Sequence, residues 1–261
     1  MRPSKPARYG SAAHFLKHRY VADLFGGRGG VGDSCCKLGV AARVWDLEKG
    51  EEFDLTRASV CGGFRRDVAD NKVIAGMVAT PCRTWGPGGN RSFKLRSRLE
   101  PWGRTDVSMT TAQSTRLQEG NATMRAALKC IHALHKARAP WIHEHPSGTF
   151  AYMSEEWQRL LDDPSVMVVV LDQCMFGCKW RKRTMLVCGN LDEDDVARLR
   201  KGCTGKNGYC SRTGQKHFHL EGKTTEGVPW TSIAQRYPAR LYNALAHVLC
   251  AQALAEVYNA T

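Results

Sequence analysis

A short apolar run, Tyr20-Val21-Ala22-Asp23-Leu24-Phe25, stops at Gly26-Gly27-Arg28-Gly29-Gly30, and a helical pattern follows to about Leu38. This order constrains the fold more than any other stretch. A buried strand, a tight turn and a helix belong to a parallel sheet covered by helices. Glycines in such a turn let the backbone bend sharply and approach a ligand that a Cβ would exclude. Ala41 to Leu47 reads as the next strand. Asp46 at its carboxyl end lies about twenty residues beyond the turn, where a carboxylate can accept hydrogen bonds from two ribose hydroxyls. The run matches neither G-x-G-x-x-G nor G-x-x-x-x-G-K-[ST], which argues against dinucleotides and nucleoside triphosphates.

Further strands and helices alternate along the chain. Phe53 to Thr56 is expected as a very short third strand, leading into a helix up to about Asp70; Lys72 to Thr80 reads as a buried strand that stops at Pro81. Met124, Ala127, Leu128, Ile131 and Leu134 recur at helical spacing and predict an amphipathic helix from Asn121 to Ala137. Pro140 to Glu144, Val166 to Leu171 and Thr184 to Cys188 read as strands, Glu155 to Leu161 as a helix, and Trp230 to Tyr258 as one or two closing helices. The pattern predicts an α/β fold: a mostly parallel sheet with helices on both faces. It divides into a basic N-terminal arm (1–19), the main unit (20–189), an irregular Cys- and His-containing segment (190–230) and C-terminal helices packing back on the main unit (231–261).

The net charge is +13 over 261 residues, and the excess is spread through the chain without a charged tail. Such a balance points to a polyanionic partner, nucleic acid first, against the alternative of an inert basic surface. The loop 83–106 concentrates the charge: Arg83, Arg91, Lys94, Arg96, Arg98 and Arg104 are interleaved with Trp85, Phe93 and Trp102. Aromatic and arginine side chains suit a strand whose bases are displaced. The eleven cysteines are odd in number and no export signal precedes them, so reduced thiols in an intracellular setting, nuclear or cytoplasmic, are expected. The longest aliphatic run, Val166 to Leu171, is too short to cross a bilayer, so no membrane partner is expected.

Two strand ends carry candidate chemistry. Pro81-Cys82 follows the strand at 72–80, and ligands of open parallel sheets gather at that edge. A thiol there is a nucleophile if neighbouring cations lower its pKa, and an inert buried group otherwise. In Trp141-Ile142-His143-Glu144-His145-Pro146 a carboxylate ends another strand, where desolvation favours a proton donor. The flanking histidines lack the i, i+4 spacing of a helical zinc site. Farther on, Cys203, Cys210, His217 and His219 are four thiolate or imidazole donors, enough to close a tetrahedral zinc site in a segment with few core residues. Their spacing matches no standard finger, and loop residues without metal are the alternative.

The order of these motifs resembles the cytosine-5 DNA methyltransferase family. It runs from Asp23-Leu24-Phe25-Gly26-Gly27-Arg28-Gly29-Gly30 and Asp46 through Thr80-Pro81-Cys82 and Glu144 with Pro146 to Phe176-Gly177 and Arg181-Lys182-Arg183, and Tyr237-Pro238 resembles the family's closing helix. The resemblance implies a Rossmann-like fold that binds S-adenosylmethionine, with Asp23, Phe25, Gly27, Gly29, Gly30, Trp45, Asp46, Asp54 and Pro81 around the cofactor. It implies Cys82 as the nucleophile on carbon 6 of a flipped cytosine, Glu144 as the acid at ring nitrogen 3, and Arg181 or Arg183 as supporting arginines. DNA is the implied substrate ahead of RNA. Glu144 is followed by His145-Pro146 where the family has Asn-Val, and 190–230 is short for a target-recognition domain, so a protein partner supplying specificity is a further expectation. A fold that binds nucleic acid without turnover, and a methyltransferase with another acceptor, are the two rival readings.

Overall fold

The structure, a computed structural model, describes residues 18–88 and 94–259. Six strands build one sheet: β1 (Tyr20–Leu24), β2 (Ala42–Trp45), β3 (Val73–Val78), β4 (Trp141–Pro146), β5 (Val166–Asp172) and β6 (Arg183–Gly189). Their order is β2-β1-β3-β4-β6-β5. The first four strands in that order run parallel, and β6 lies antiparallel between β4 and β5. The sheet is therefore the mostly parallel, helix-covered Rossmann-like sheet that the alternation predicts.

The helices are α1 (Gly30–Lys37), α2 (Ala58–Ala69), α3 (Thr111–Lys136), α4 (Glu155–Leu161), α5 (Glu193–Ala197), α6 (Trp230–Ile233) and α7 (Ala239–Asn259). Six of them divide between the two faces. Phe64 and Val68 of α2, Ile131 and Leu134 of α3, and Trp157 of α4 pack with Trp141 on one face. Val31 of α1, Val196 of α5, and Leu241, Leu245 and Leu249 of α7 pack with Ile142 on the other. Burial on both faces explains why β1 and β3 are buried along their whole length and read as continuous apolar runs. Each such Val, Leu or Ile side chain contributes about 1.5–3 kcal/mol when fully buried.

Two sequence expectations are corrected. Residues 53–56 form no strand; two 3₁₀ turns, Leu47–Lys49 and Glu51–Phe53, run up to this stretch, and a turn at Leu55–Thr56 follows. The cause is local. Asp46 accepts the Glu48 N–H at 2.9 Å, and Asp54 accepts the Thr56 N–H at 2.9 Å, so both aspartates fold the backbone into turns that compete with a sheet ladder. The second correction is the length of α3, which starts at Thr111 instead of Asn121. A capping box fixes that start: Gln113 N–H donates to Thr110 Oγ1 at 3.3 Å, and Thr110 N–H donates to Gln113 Oε1 at 2.9 Å. The first turns are solvent-facing and carry no apolar stripe, so periodicity alone could not extend the helix over them. No helix among the described residues is long and apolar enough to cross a membrane.

Candidate active site

The chain leaves β1, pairs β2 on one side, then returns to place β3 on the other side of β1. Such a reversal marks the place, outside the carboxyl ends of β1 and β3, where open α/β sheets bind ligands. The glycine turn follows β1 and Pro81-Cys82 follows β3, so both leave the sheet at that edge. Glu144 lies near the carboxyl end of β4, one residue past the pairing of Val78 with His143.

The glycines of the turn serve different purposes. A Cβ on Gly26 would come 2.5 Å from the Asp23 carboxylate, one on Gly29 2.7 Å from Val44, and one on Gly30 2.4 Å from the Tyr242 ring. Those three are fixed by the protein's own packing. Gly27 differs: its φ of +54° is left-handed, and a Cβ there would meet nothing within 4 Å. Its N–H donates to Asp46 Oδ2 at 2.8 Å, which ties the turn to the end of β2. Phe25 adopts a left-handed φ of 55° without being glycine, a strained conformation of the kind that collects at ligand sites. Asp23 is buried beneath the turn; loss of hydration lifts its carboxyl to about 6 although the Gly32 N–H donates to it at 3.0 Å.

The other residues expected at the cofactor differ in exposure. Trp45 packs against Tyr20 at 5.6 Å and edge-on to Phe64 at 5.5 Å, so most of its ring belongs to the core. Asp54 holds Thr56 through backbone and hydroxyl, and Pro81 is exposed.

Cys82 is anchored against β4. Its carbonyl accepts the N–H groups of Trp85 at 3.1 Å and Gly86 at 2.8 Å, forming a helical turn. A Cβ on Gly86 would meet the Cys82 carbonyl at 3.2 Å and Pro146 at 3.6 Å, so this turn sits directly on the end of the Glu144 strand. Burial raises the Cys82 thiol; Lys182 pulls it down and the Glu144 carboxylate pushes it up. Lys182 Nζ is 3.9 Å from Glu144 Oε1, an oxygen that is buried and has no hydrogen-bond partner among the described residues. On the same side lies Tyr237, whose phenol is raised first by burial and then by the Glu144 carboxylate. Tyr237 packs on Tyr242 at 5.2 Å, and Tyr242 covers Gly30, so a stack of two tyrosines joins the carboxylate to the glycine turn.

Alternation along β4 sends the histidines to the opposite face. His143 faces Thr80 through Nε2 at 2.9 Å and Tyr152 through Nδ1 at 2.8 Å, which occupies both ring nitrogens and leaves none for a metal. His145 is fully buried, and desolvation, with Lys182 and Arg96 nearby, pulls it down to about 3. Both rings are therefore neutral supports beneath the site.

The basic loop is partly structural. Trp85 is fully buried, and Arg96 lies over its ring at 3.3 Å. Arg96 donates to the Thr84 carbonyl, Thr84 Oγ1, the Pro101 carbonyl and Asn121 Oδ1 at 2.7–3.2 Å. It thereby clamps the turn that carries Cys82. Trp102 meets Trp85 edge-on at 5.2 Å, and Arg104 pairs with Asp106 at 2.7 Å. Arg83, Lys94 and Arg98 are exposed, whereas Arg91 and Phe93 lie outside the described residues.

Of the expected supporting arginines, Arg181 pairs with Asp172 at 3.2 Å and Arg183 is exposed, while Lys182 between them lies 3.9 Å from Glu144. Sequence reading did not single out Lys182 and Tyr237, which lie against Glu144, or Arg96, which holds the turn after Cys82. Of the four expected metal donors, Cys203, Cys210 and His217 come together, and His219 does not join them; Cys174, just beyond β5, takes its place.

No protein-family model matches the chain. No curated protein matches it either. Among solved structures, the chain is similar to an E. coli prophage protein described as a DNA modification methyltransferase, at 12% identity over 70% of this chain and 51% of that one, with a TM-score of 0.40. It is similar to the Entamoeba histolytica methyltransferase EhMeth at 8% identity, covering 90% of this chain and 98% of that one, with a TM-score of 0.42. For the S. pombe Dnmt2 methyltransferase the values are 14%, 70% and 55%, with a TM-score of 0.40. The chain thus spans about half the length of the prophage and S. pombe proteins. At identities and scores this low, any functional argument rests on the side chains themselves.

Proposed function

We propose that the chain is an S-adenosylmethionine-dependent methyltransferase that methylates carbon 5 of cytosine in nucleic acid, DNA ahead of RNA, through a covalent adduct at Cys82. One observation carries the reading. A half-buried thiol and a buried carboxylate, both acted on by Lys182, converge at the switch point of the sheet beside a strained glycine turn.

The residues of the turn fit the cofactor. Gly27 leaves open the space that a Cβ would fill, and each Asp46 oxygen accepts one backbone N–H, leaving lone pairs for two hydroxyls. Gly27, Asp46 and Phe25 would hold S-adenosylmethionine, which supplies an electrophilic methyl group when bound. The protein's own groups act on the base. Cytosine is a poor electrophile until ring nitrogen 3 is protonated, so Glu144 delivers a proton there while the Cys82 thiolate adds to carbon 6. The addition moves electron density to carbon 5 and makes it nucleophilic. After methylation, loss of the carbon 5 proton to solvent water expels the Cys82 thiolate, and the ring nitrogen 3 proton returns to Glu144, which restores the neutral ring. Such chemistry requires a base outside the stack, because carbon 6 is shielded inside a duplex. Cys82 must also shed its proton, which burial opposes and Lys182 favours.

The raised Cys82 thiol favours one second reading, a nucleic-acid binder of the same fold without turnover. In either reading, the short segment 190–230 fits a chain whose target choice is low, absent or supplied by a protein partner. Incubation with methyl-labelled S-adenosylmethionine and mixed DNA and RNA separates the two. The proposal expects label on cytosine carbon 5 and none with Cys82→Ser. Good cofactor binding with no transfer by the intact chain supports the binder, and full activity in Cys82→Ser removes the proposed nucleophile.

A further inference from the structure

We propose that Cys174, Cys203, Cys210 and His217 form a tetrahedral structural zinc site that pins the irregular segment to the end of β5. Such a site stands whether or not the chain is a methyltransferase.

The ligand atoms of these four residues all lie within 4.8 Å of one another, and the three cysteines are buried. Tetrahedral zinc has Zn–S bonds of about 2.3 Å and Zn–N bonds of about 2.0–2.1 Å, so neighbouring ligands stand roughly 3.5–3.8 Å apart. Cys203 Sγ and His217 Nε2 are 3.6 Å apart, within that range. The donors come from separate places: Cys174 in the turn Gln173–Phe176 after β5, Cys203 after α5, and Cys210 and His217 on a small hairpin bridged between Tyr209 and Lys216. Burial there has no apolar basis of its own. The three cysteines form an isolated cluster with only Met175 packed against them, and between 204 and 233 Cys210 is the one buried residue. A segment with so little core needs a cross-link of another kind.

The surroundings suit thiolate ligands. The Ser211 N–H and hydroxyl approach Cys203 Sγ at 3.3 and 3.4 Å, as groups that orient a metal-bound sulfur do. Three thiols release their protons to solvent on binding, and neutral His217 offers Nε2, which leaves a site of net charge −1. Arg212, donating to the Cys174 carbonyl at 2.8 Å, supplies nearby positive charge. The site also reaches the catalytic candidates. Asp172 accepts the Cys203 N–H at 2.7 Å and pairs with Arg181, next to Lys182. Zinc would thus hold the stretch that presents Lys182 to Glu144.

Purification of the full chain under reducing conditions, without chelator, followed by metal analysis and zinc-edge X-ray absorption, tests this. The expected result is about one zinc per chain with three sulfur ligands and one nitrogen. Cys174→Ser should weaken zinc binding at least tenfold against a competing chelator, and His219→Ala should leave it unchanged. Absence of zinc even after reloading, or a shell of two sulfurs and two nitrogens, overturns the proposal. So does release of zinc by His219→Ala with retention in Cys174→Ser. The absorption measurement uses the unmodified protein and stands even if Cys174→Ser fails to fold.

Discussion

Replacing Asp23 by Asn should change how the stability of this protein depends on pH. Asp23 lies under the glycine turn at 1% exposure, and burial lifts its carboxyl from 3.8 to about 6. Between those values the folded chain holds a proton that the unfolded chain has lost. Stability therefore falls as pH rises from about 4 to about 6, the sign opposite to that of an ion-paired aspartate. A rise of about two units corresponds to about 3 kcal/mol, reached when the carboxyl is fully ionised near neutral pH. Solvent screening takes little from a side chain so enclosed. Asparagine keeps an oxygen for the Gly32 N–H, now at 3.0 Å from Oδ2, and carries no charge. Urea unfolding of both proteins at intervals from pH 4 to 7.5 reads the difference directly, with equal denaturant slopes as the control for a similar unfolding transition. The Asn variant should gain about 2–3 kcal/mol on the wild type across that range. Asp33 and Asp46 also raise the carboxyl, so high salt should trim the gain without removing it. A difference independent of pH, or one growing in the wild type's favour, would refute the reasoning.

The glycines give a second contrast. Gly30→Ala pushes a Cβ into the Tyr242 ring and should cost about 1–3 kcal/mol in urea unfolding, with partial recovery on adding Tyr242→Ala. Gly27→Ala meets no atom and should cost only about 1–2 kcal/mol for its left-handed backbone, yet weaken S-adenosylmethionine binding at least tenfold by calorimetry. Unchanged affinity there would remove Gly27 from the cofactor site. Lys182→Met should move the pH dependence of Cys82 alkylation upward, because a cation that favours the thiolate is gone. Iodoacetamide labelling followed by mass spectrometry of the Cys82 peptide reads that shift, and an unmoved profile counts against Lys182 as the group that tunes the thiol.

Much of the architecture is local and therefore legible in the residues. β1 and β3 are buried on both faces and read as apolar runs, and α1 follows its glycine turn as expected. The amphipathic half of α3 is visible because its core residues recur at helical spacing. Its polar first half is not, because a solvent-facing helix leaves no apolar stripe; only the Thr110–Gln113 capping box marked its start. The supposed strand at 53–56 failed for a related reason. Short apolar residues suggested a strand, but aspartate side chains beside them captured the backbone into turns.

By itself, the sequence determined the class of sheet, the strand ends that carry Cys82 and Glu144, and the glycine turn after β1. All of these follow from periodicity and chain punctuation. Only tertiary structure decided which groups meet there. It turned Lys182 and not its neighbouring arginines toward Glu144, brought Tyr237 from the far end of the chain, and drew Trp85 and Arg96 out of the basic loop into the core. It also exchanged His219 for Cys174 among the clustered thiols. The physical reason is common to each case. A side chain's partners are set by which strand edges and turns the fold brings together, and contacts between residues tens or hundreds of positions apart leave no period in the sequence.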